Sequence, residues 1–252
     1  MSARSILLTI GLVFPTAITY VHFVAVRSEG PTANPRLIAL YASAKLATLL
    51  LPLVTYFATP RSQRFPSQHH RADMHAQGQR MARPRNAIGL GLAFGLATGG
   101  ATLGLYHYWF VNSALFDRAA LQVRAKVTEF GCDTPARYIA FAAFLALAHS
   151  LLEEYYWRWF AFGALRRSWA FWPAALVASL AFMGHHVVVL SVYFPDAIWS
   201  AVVPFSLGVA IGGLVWSWLY EVSGSLVGSW LSHILVDVAI MTVGYQMLFP
   251  QA

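Results

Sequence analysis

Seven long apolar runs alternate with short polar breaks along the chain, at about residues 5–26, 37–59, 87–111, 138–165, 169–192, 198–220 and 225–249. Each is close to the roughly 20 residues that an α-helix needs to cross a hydrocarbon core about 30 Å thick. Lipid offers the backbone no hydrogen-bond partners, so only helices and closed barrels can span it. Runs this long and unbroken do not fit barrel strands, which are near ten residues and alternate in polarity. The pattern therefore predicts an all-α, polytopic transmembrane helical bundle of about seven spans. The segment 112–137 is mixed in charge and is expected as a short outer loop or surface helix. The glycine-rich stretch at 89–104 contains Gly91-x-x-x-Gly95, a spacing that lets two helices approach closely, and is read that way rather than as a phosphate loop.

Composition strengthens the membrane reading. Of 252 residues, 58% are hydrophobic and only 11% charged, where soluble domains run at about 45–50% and about 25%. The net charge of +7 would raise the question of nucleic-acid binding, but the basic residues collect in the connections while the aromatic ones sit in the apolar runs. Positive charge on cytoplasmic connections accounts for this directly, and no nucleic-acid partner is expected. The strongest topology signal is 60–85, where Arg61, Arg64, Arg71, Arg80, Arg83 and Arg85 face a single acid, Asp73. It places this segment in the cytoplasm with the N-terminus, in agreement with Arg4, and alternation puts Arg166 and Arg167 inside as well. The first run has the look of a signal peptide but lacks a small-x-small cleavage motif and precedes many further spans, so it is expected to be retained. Cys132 is the single cysteine, which excludes an intramolecular disulfide and a cysteine-based metal site. The chain divides into N-terminal transmembrane helices over 1–137, with a basic cytoplasmic loop at 60–86, and a transmembrane core over 138–250.

Ionisable groups inside spans are costly and mark functional sites by default. Here they are Lys45, His107, His149, Glu153, Glu154, Arg158, His185, His186, His233 and Asp237. Glu154 and Arg158 are four apart and share a helical face with the acid N-terminal, the favoured order. Glu153 points about 100° away. This separates the two acids: Arg158 neutralises Glu154, and Glu153 is left to face a cavity as a general base or acid. The alternative is an ion-pair cluster that only fixes helix packing. In the following span Phe182 and His186 share a face while His185 points elsewhere. In the last span His233 and Asp237 share a face, where the acid can orient the imidazole and set its tautomer. Measured from their cytoplasmic ends, all three groups fall roughly 12–25 Å deep at 1.5 Å per residue, so they can meet near the middle of the membrane.

The three sequences Glu153-Glu154-Tyr155-Tyr156-Trp157-Arg158, Phe182-Met183-Gly184-His185-His186 and His233-Ile234-Leu235-Val236-Asp237 resemble the pattern of the CPBP family of intramembrane endopeptidases, also called the Abi or CAAX-protease family. That pattern is Glu-Glu-x-x-x-Arg, Phe-x-x-x-His and His-x-x-x-Asn or Asp, and the likeness covers about 138–249. The resemblance implies a glutamic-type endopeptidase in which Glu153 and His186 activate a water. His233 and Asp237 would stabilise the oxyanion or position the water, with Glu154, Arg158 and Phe182 in support. Asn is the commoner last residue of the third motif. Asp237 donates a hydrogen bond only when protonated, so orienting His233 is an alternative role for it.

The resemblance implies no cofactor. A zinc-dependent mechanism is the nearest rival, since two histidines and carboxylates can hold a metal with an open position, and His149 lies four residues before Glu153; no His-Glu-x-x-His is present. A non-catalytic bacteriocin-immunity or scaffold role is a further alternative. The expected partners are the lipid bilayer and a peptide or protein substrate at the membrane, prenylated proteins and C-terminal sorting tails among them. The expected location is the plasma (inner) membrane.

Overall fold

The computed structural model describes residues 3–25, 35–59 and 84–249. The basic loop expected at 60–86 lies outside the described residues up to position 83. Among the described residues the regular elements are all helical: α1 (Ala3–Tyr20), α2 (Pro35–Ala58), α3 (Pro84–Leu105), α4 (Ala114–Glu129), α5 (Pro135–Arg166), α6 (Phe171–Tyr193), α7 (Ile198–Ser223) and α8 (Val227–Leu248). Six of them, all except α2 and α4, contain stretches long and apolar enough to cross a membrane. The expected span at 37–59 coincides with α2, whose described apolar part is Leu46–Phe57. The chain is thus a multi-pass helical membrane protein.

Local chemistry sets the helix ends. Thr134 caps α5 by accepting from the Arg137 N–H at 3.4 Å, and Pro135 follows at the first helical position, where no N–H is needed. Ser113 caps α4 in the same way through Phe116. The segment expected as an outer loop or surface helix is therefore largely helix α4, and Arg124 on it donates to the Leu248 carbonyl at the end of α8 at 2.9 Å. Gly224 closes α7 with φ of 64°, a left-handed conformation that glycine adopts without steric cost.

Packing centres on α8. It lies most extensively against α3, and α6 against α7, with α1 closing over α6. The α3–α8 contact is backbone to backbone. A Cβ at Gly228 would sit 2.7 Å from the Ala87 carbonyl oxygen, and one at Gly95 would sit 2.8 Å from that of Ser232. Gly91 has no room for a side chain against Gly228 either. The glycine spacing read from the sequence thus seats α8 in a fixed register and, with it, Ser232 and His233.

A second constraint ties α1 to α5. Pro15 lies inside α1 and has no N–H to offer the carbonyl four residues earlier, which is that of Gly11. The Tyr156 hydroxyl donates to this carbonyl at 2.6 Å. A carbonyl freed by proline inside a helix in lipid needs such a substitute donor, and here the donor lies between Glu154 and Arg158 on α5. Tyr156→Phe should therefore lower stability by about 1–3 kcal/mol, the cost of leaving a buried acceptor unpaired; reversible unfolding in detergent measures it, and an unchanged midpoint would contradict the role.

Candidate active site

The helix that carries the two glutamates is not uniformly α. Leu145–His149 and Tyr155–Phe162 are π-helical and flank the short α-helical piece Ser150–Glu154. Wider turns of this kind are frequent at functional sites. Side chains complete the carbonyls there: Ser150 donates to Ala146, and the Trp230 indole donates to Leu147 at 3.0 Å.

The two acids face different surroundings. Glu154 is fully buried, with Arg158 Nε 3.5 Å from Oε2. Among the described residues the guanidinium has no hydrogen-bond partner. It is held instead over the rings of Phe182 at 4.7 Å and Trp216 at 5.0 Å, cation–π contacts of the desolvated kind. Oε1 of Glu154 receives His233 Nδ1 at 3.0 Å. Glu153 keeps 11% side-chain exposure. Its Oε1 lies 3.1 Å from His185 Nε2 and 3.4 Å from His149 Nε2, and its Oε2 lies 3.6 Å from His233 Nε2.

The histidine tautomers follow from their partners. His186 Nδ1 meets the Phe182 carbonyl oxygen at 3.1 Å. A carbonyl only accepts, so Nδ1 carries the proton, and Nε2 of the neutral ring is left with a lone pair. His233 donates from Nδ1 to Glu154, and its Nε2 faces both Glu153 and, at 3.7 Å, Asp237 Oδ1. Its ring is stacked on Trp216, with centroids 4.1 Å apart and planes 16° apart. Trp216 in turn donates to Ser232 at 2.9 Å. Phe182, 1% exposed, touches the rings of His185, His186 and His233.

The structure brings Glu153, Glu154, Arg158, Phe182, His186, His233 and Asp237 into one cluster, with His149 at its edge. It differs from the sequence reading in two places. The acid that holds His233 at hydrogen-bond distance is Glu154, not Asp237: spacing along one helix favoured the intrahelical pair, whereas helix packing presents the Glu154 carboxylate to the other ring nitrogen. His185, expected to point elsewhere, is the histidine hydrogen-bonded to Glu153, and its ring lies beside that of His186 with centroids 4.1 Å apart. Of the remaining candidates, His107 packs on Tyr106 at the end of α3, and the side chain of Lys45 falls outside the described residues. Trp216 carried no motif; an indole in an apolar span reads as core.

Ligand atoms of Glu153, His185 and His186 all lie within 4.8 Å of one another. A carboxylate, a lone-pair imidazole and a donor imidazole around one point can polarise a water. With the ligating nitrogens bare, the same three side chains could instead hold a divalent metal.

Comparison with known proteins points to a family. The model of the type II CAAX prenyl endopeptidase Rce1-like family matches residues 135–239, a range that contains every member of this cluster and agrees with the CPBP pattern. No curated protein and no solved structure matches the chain.

Breaking the buried pair tests its construction. Glu154→Leu should cost about 3–5 kcal/mol by stranding Arg158, and the double replacement Glu154→Leu/Arg158→Leu should cost less than either single one. Unfolding in detergent measures all three; additive losses would contradict the coupling.

Proposed function

Because residues 135–239 match the Rce1-like CAAX endopeptidases, we propose that this protein is a glutamic-type intramembrane endopeptidase acting on membrane-associated or lipidated proteins. The observation that carries the reading is the position of Glu153. It is a mostly buried carboxylate inside a span, close to three histidines of which none is adjacent to it in sequence, while Arg158 of the same helix sits 3.5 Å from Glu154.

A water held between Glu153 and the bare Nε2 of His186 attacks the scissile carbonyl. Glu153 takes the proton and returns it to the leaving amine as the C–N bond breaks. His233, as an imidazolium anchored through Nδ1 on Glu154, donates Nε2–H to the oxyanion, a contact of the type worth a few kcal/mol. Asp237 faces the same Nε2 and helps hold the ring among its carboxylates. The water-attack site within the bundle lets an apolar tail or prenyl group reach the bond sideways from lipid. The N-terminus and the basic segment at 60–86 lie in the cytoplasm, and the protein resides in the plasma (inner) membrane.

A second reading is favoured by one observation, the convergence of Glu153, His185 and His186: these residues would bind zinc, which would activate the water as a Lewis acid. Purified protein separates the two. The glutamic reading predicts that Glu153→Ala and His186→Ala each abolish peptide cleavage while the protein stays folded in membrane, and substantial cleavage by Glu153→Ala would sink it. It also predicts activity without bound metal; stoichiometric zinc, with activity lost to a chelator and restored by zinc, would select the metal reading instead.

A further inference from the structure

Resting on the assignment of Glu153 as base, we propose that His185 is the positioning residue for the Glu153 carboxylate, so that the two adjacent histidines divide the work in opposite tautomers. The ring of His185 is fixed on two sides. It lies parallel to Trp157 of α5, centroids 5.8 Å apart and planes 7° apart, and meets Phe182 edge-on at 5.4 Å. From this seat Nε2 reaches Glu153 Oε1 at 3.1 Å. A carboxylate accepts, so Nε2 carries the proton. Nδ1 is buried and has no hydrogen-bond partner among the described residues. The polar work of this side chain is therefore directed at Glu153.

His186 is the converse: its Nδ1–H is taken by the Phe182 carbonyl, and its Nε2 is open to accept. Fixing Oε1 turns Oε2 toward His233 and the space where the water is to be polarised. His149 faces the same Oε1 at 3.4 Å, but from a side chain 40% exposed against 12% for His185, so its hold is the looser one. Ligation of a metal through His185 Nε2 would need that nitrogen bare, the reverse of the tautomer inferred here.

Two variants separate the donor from the ring. His185→Phe keeps an aromatic face for Trp157 and removes the N–H; His185→Gln keeps a side-chain N–H and removes the ring. With protein in lipid nanodiscs and an internally quenched farnesylated Cys-a-a-X peptide as probe, His185→Phe should lose about 100-fold in kcat, the scale of a misplaced reacting group, with KM little changed. His185→Gln should recover much of that loss. Glu153→Gln is measured alongside. Wild-type kcat in His185→Phe beside an inactive Glu153→Gln overturns the role of His185 and leaves Glu153 as base; full cleavage by Glu153→Gln overturns both. The nitrogen signals of ¹⁵N-histidine-labelled protein, assigned by their disappearance in His185→Gln, test the tautomer without any substrate: a protonated His185 Nε2 is expected, and a bare one overturns the proposal.

Discussion

Two adjacent carboxylates inside a membrane-spanning helix are the constraint around which this bundle is arranged. An unpaired charge at that depth costs several kcal/mol, and neighbouring acids repel each other as well. The chain resolves this by giving the two side chains different company. Glu154 is enclosed and shared between Arg158 and His233. Glu153 is turned toward histidines on α6 and α8 and keeps a margin of exposure. The cation itself lies over the rings of Phe182 of α6 and Trp216 of α7. Four helices are therefore fastened at one level by a single polar network. The glycine seam between α3 and α8 sets the register in which α8 delivers His233 to it.

The same division separates scaffold from chemistry. A fully buried ion pair gives little net stability but is costly to break, so Glu154 and Arg158 act as a fixed support. A carboxylate held by histidines that can each carry or release a proton is suited to move one. The π-helical turns on both sides of Glu153 and Glu154 place this pair in a segment where the backbone departs from regular α geometry, with the Trp230 indole of α8 donating to the Leu147 carbonyl there.

Much of the fold was legible because a run of about 20 apolar residues has one stable answer in lipid. The expected runs at 138–165 and 225–249 became Pro135–Arg166 and Val227–Leu248, differences of a few residues set by caps such as Thr134 that hydropathy does not register. The three motifs were legible as polar positions at helical spacing, and they converge. Two things were not legible. His185 was directed away by a helical wheel that treats one face as the whole contact; its neighbour His186 is about 100° round the helix, and the site lies between the two directions. Spacing pairs His233 with Asp237 because it reports only neighbours on the same helix, whereas Glu154 reaches the ring from another.

Everything in the proposed chemistry turns on Glu153 acting as the base of a membrane-embedded endopeptidase. Its most direct test works even when the substrate is unidentified: the termini of membrane proteins are compared between cells carrying the wild-type chain and cells carrying Glu153→Ala at equal abundance. A defined set of processed termini present with the wild type should be replaced by uncleaved forms with Glu153→Ala. Identical termini in the two cell lines would contradict the role of Glu153.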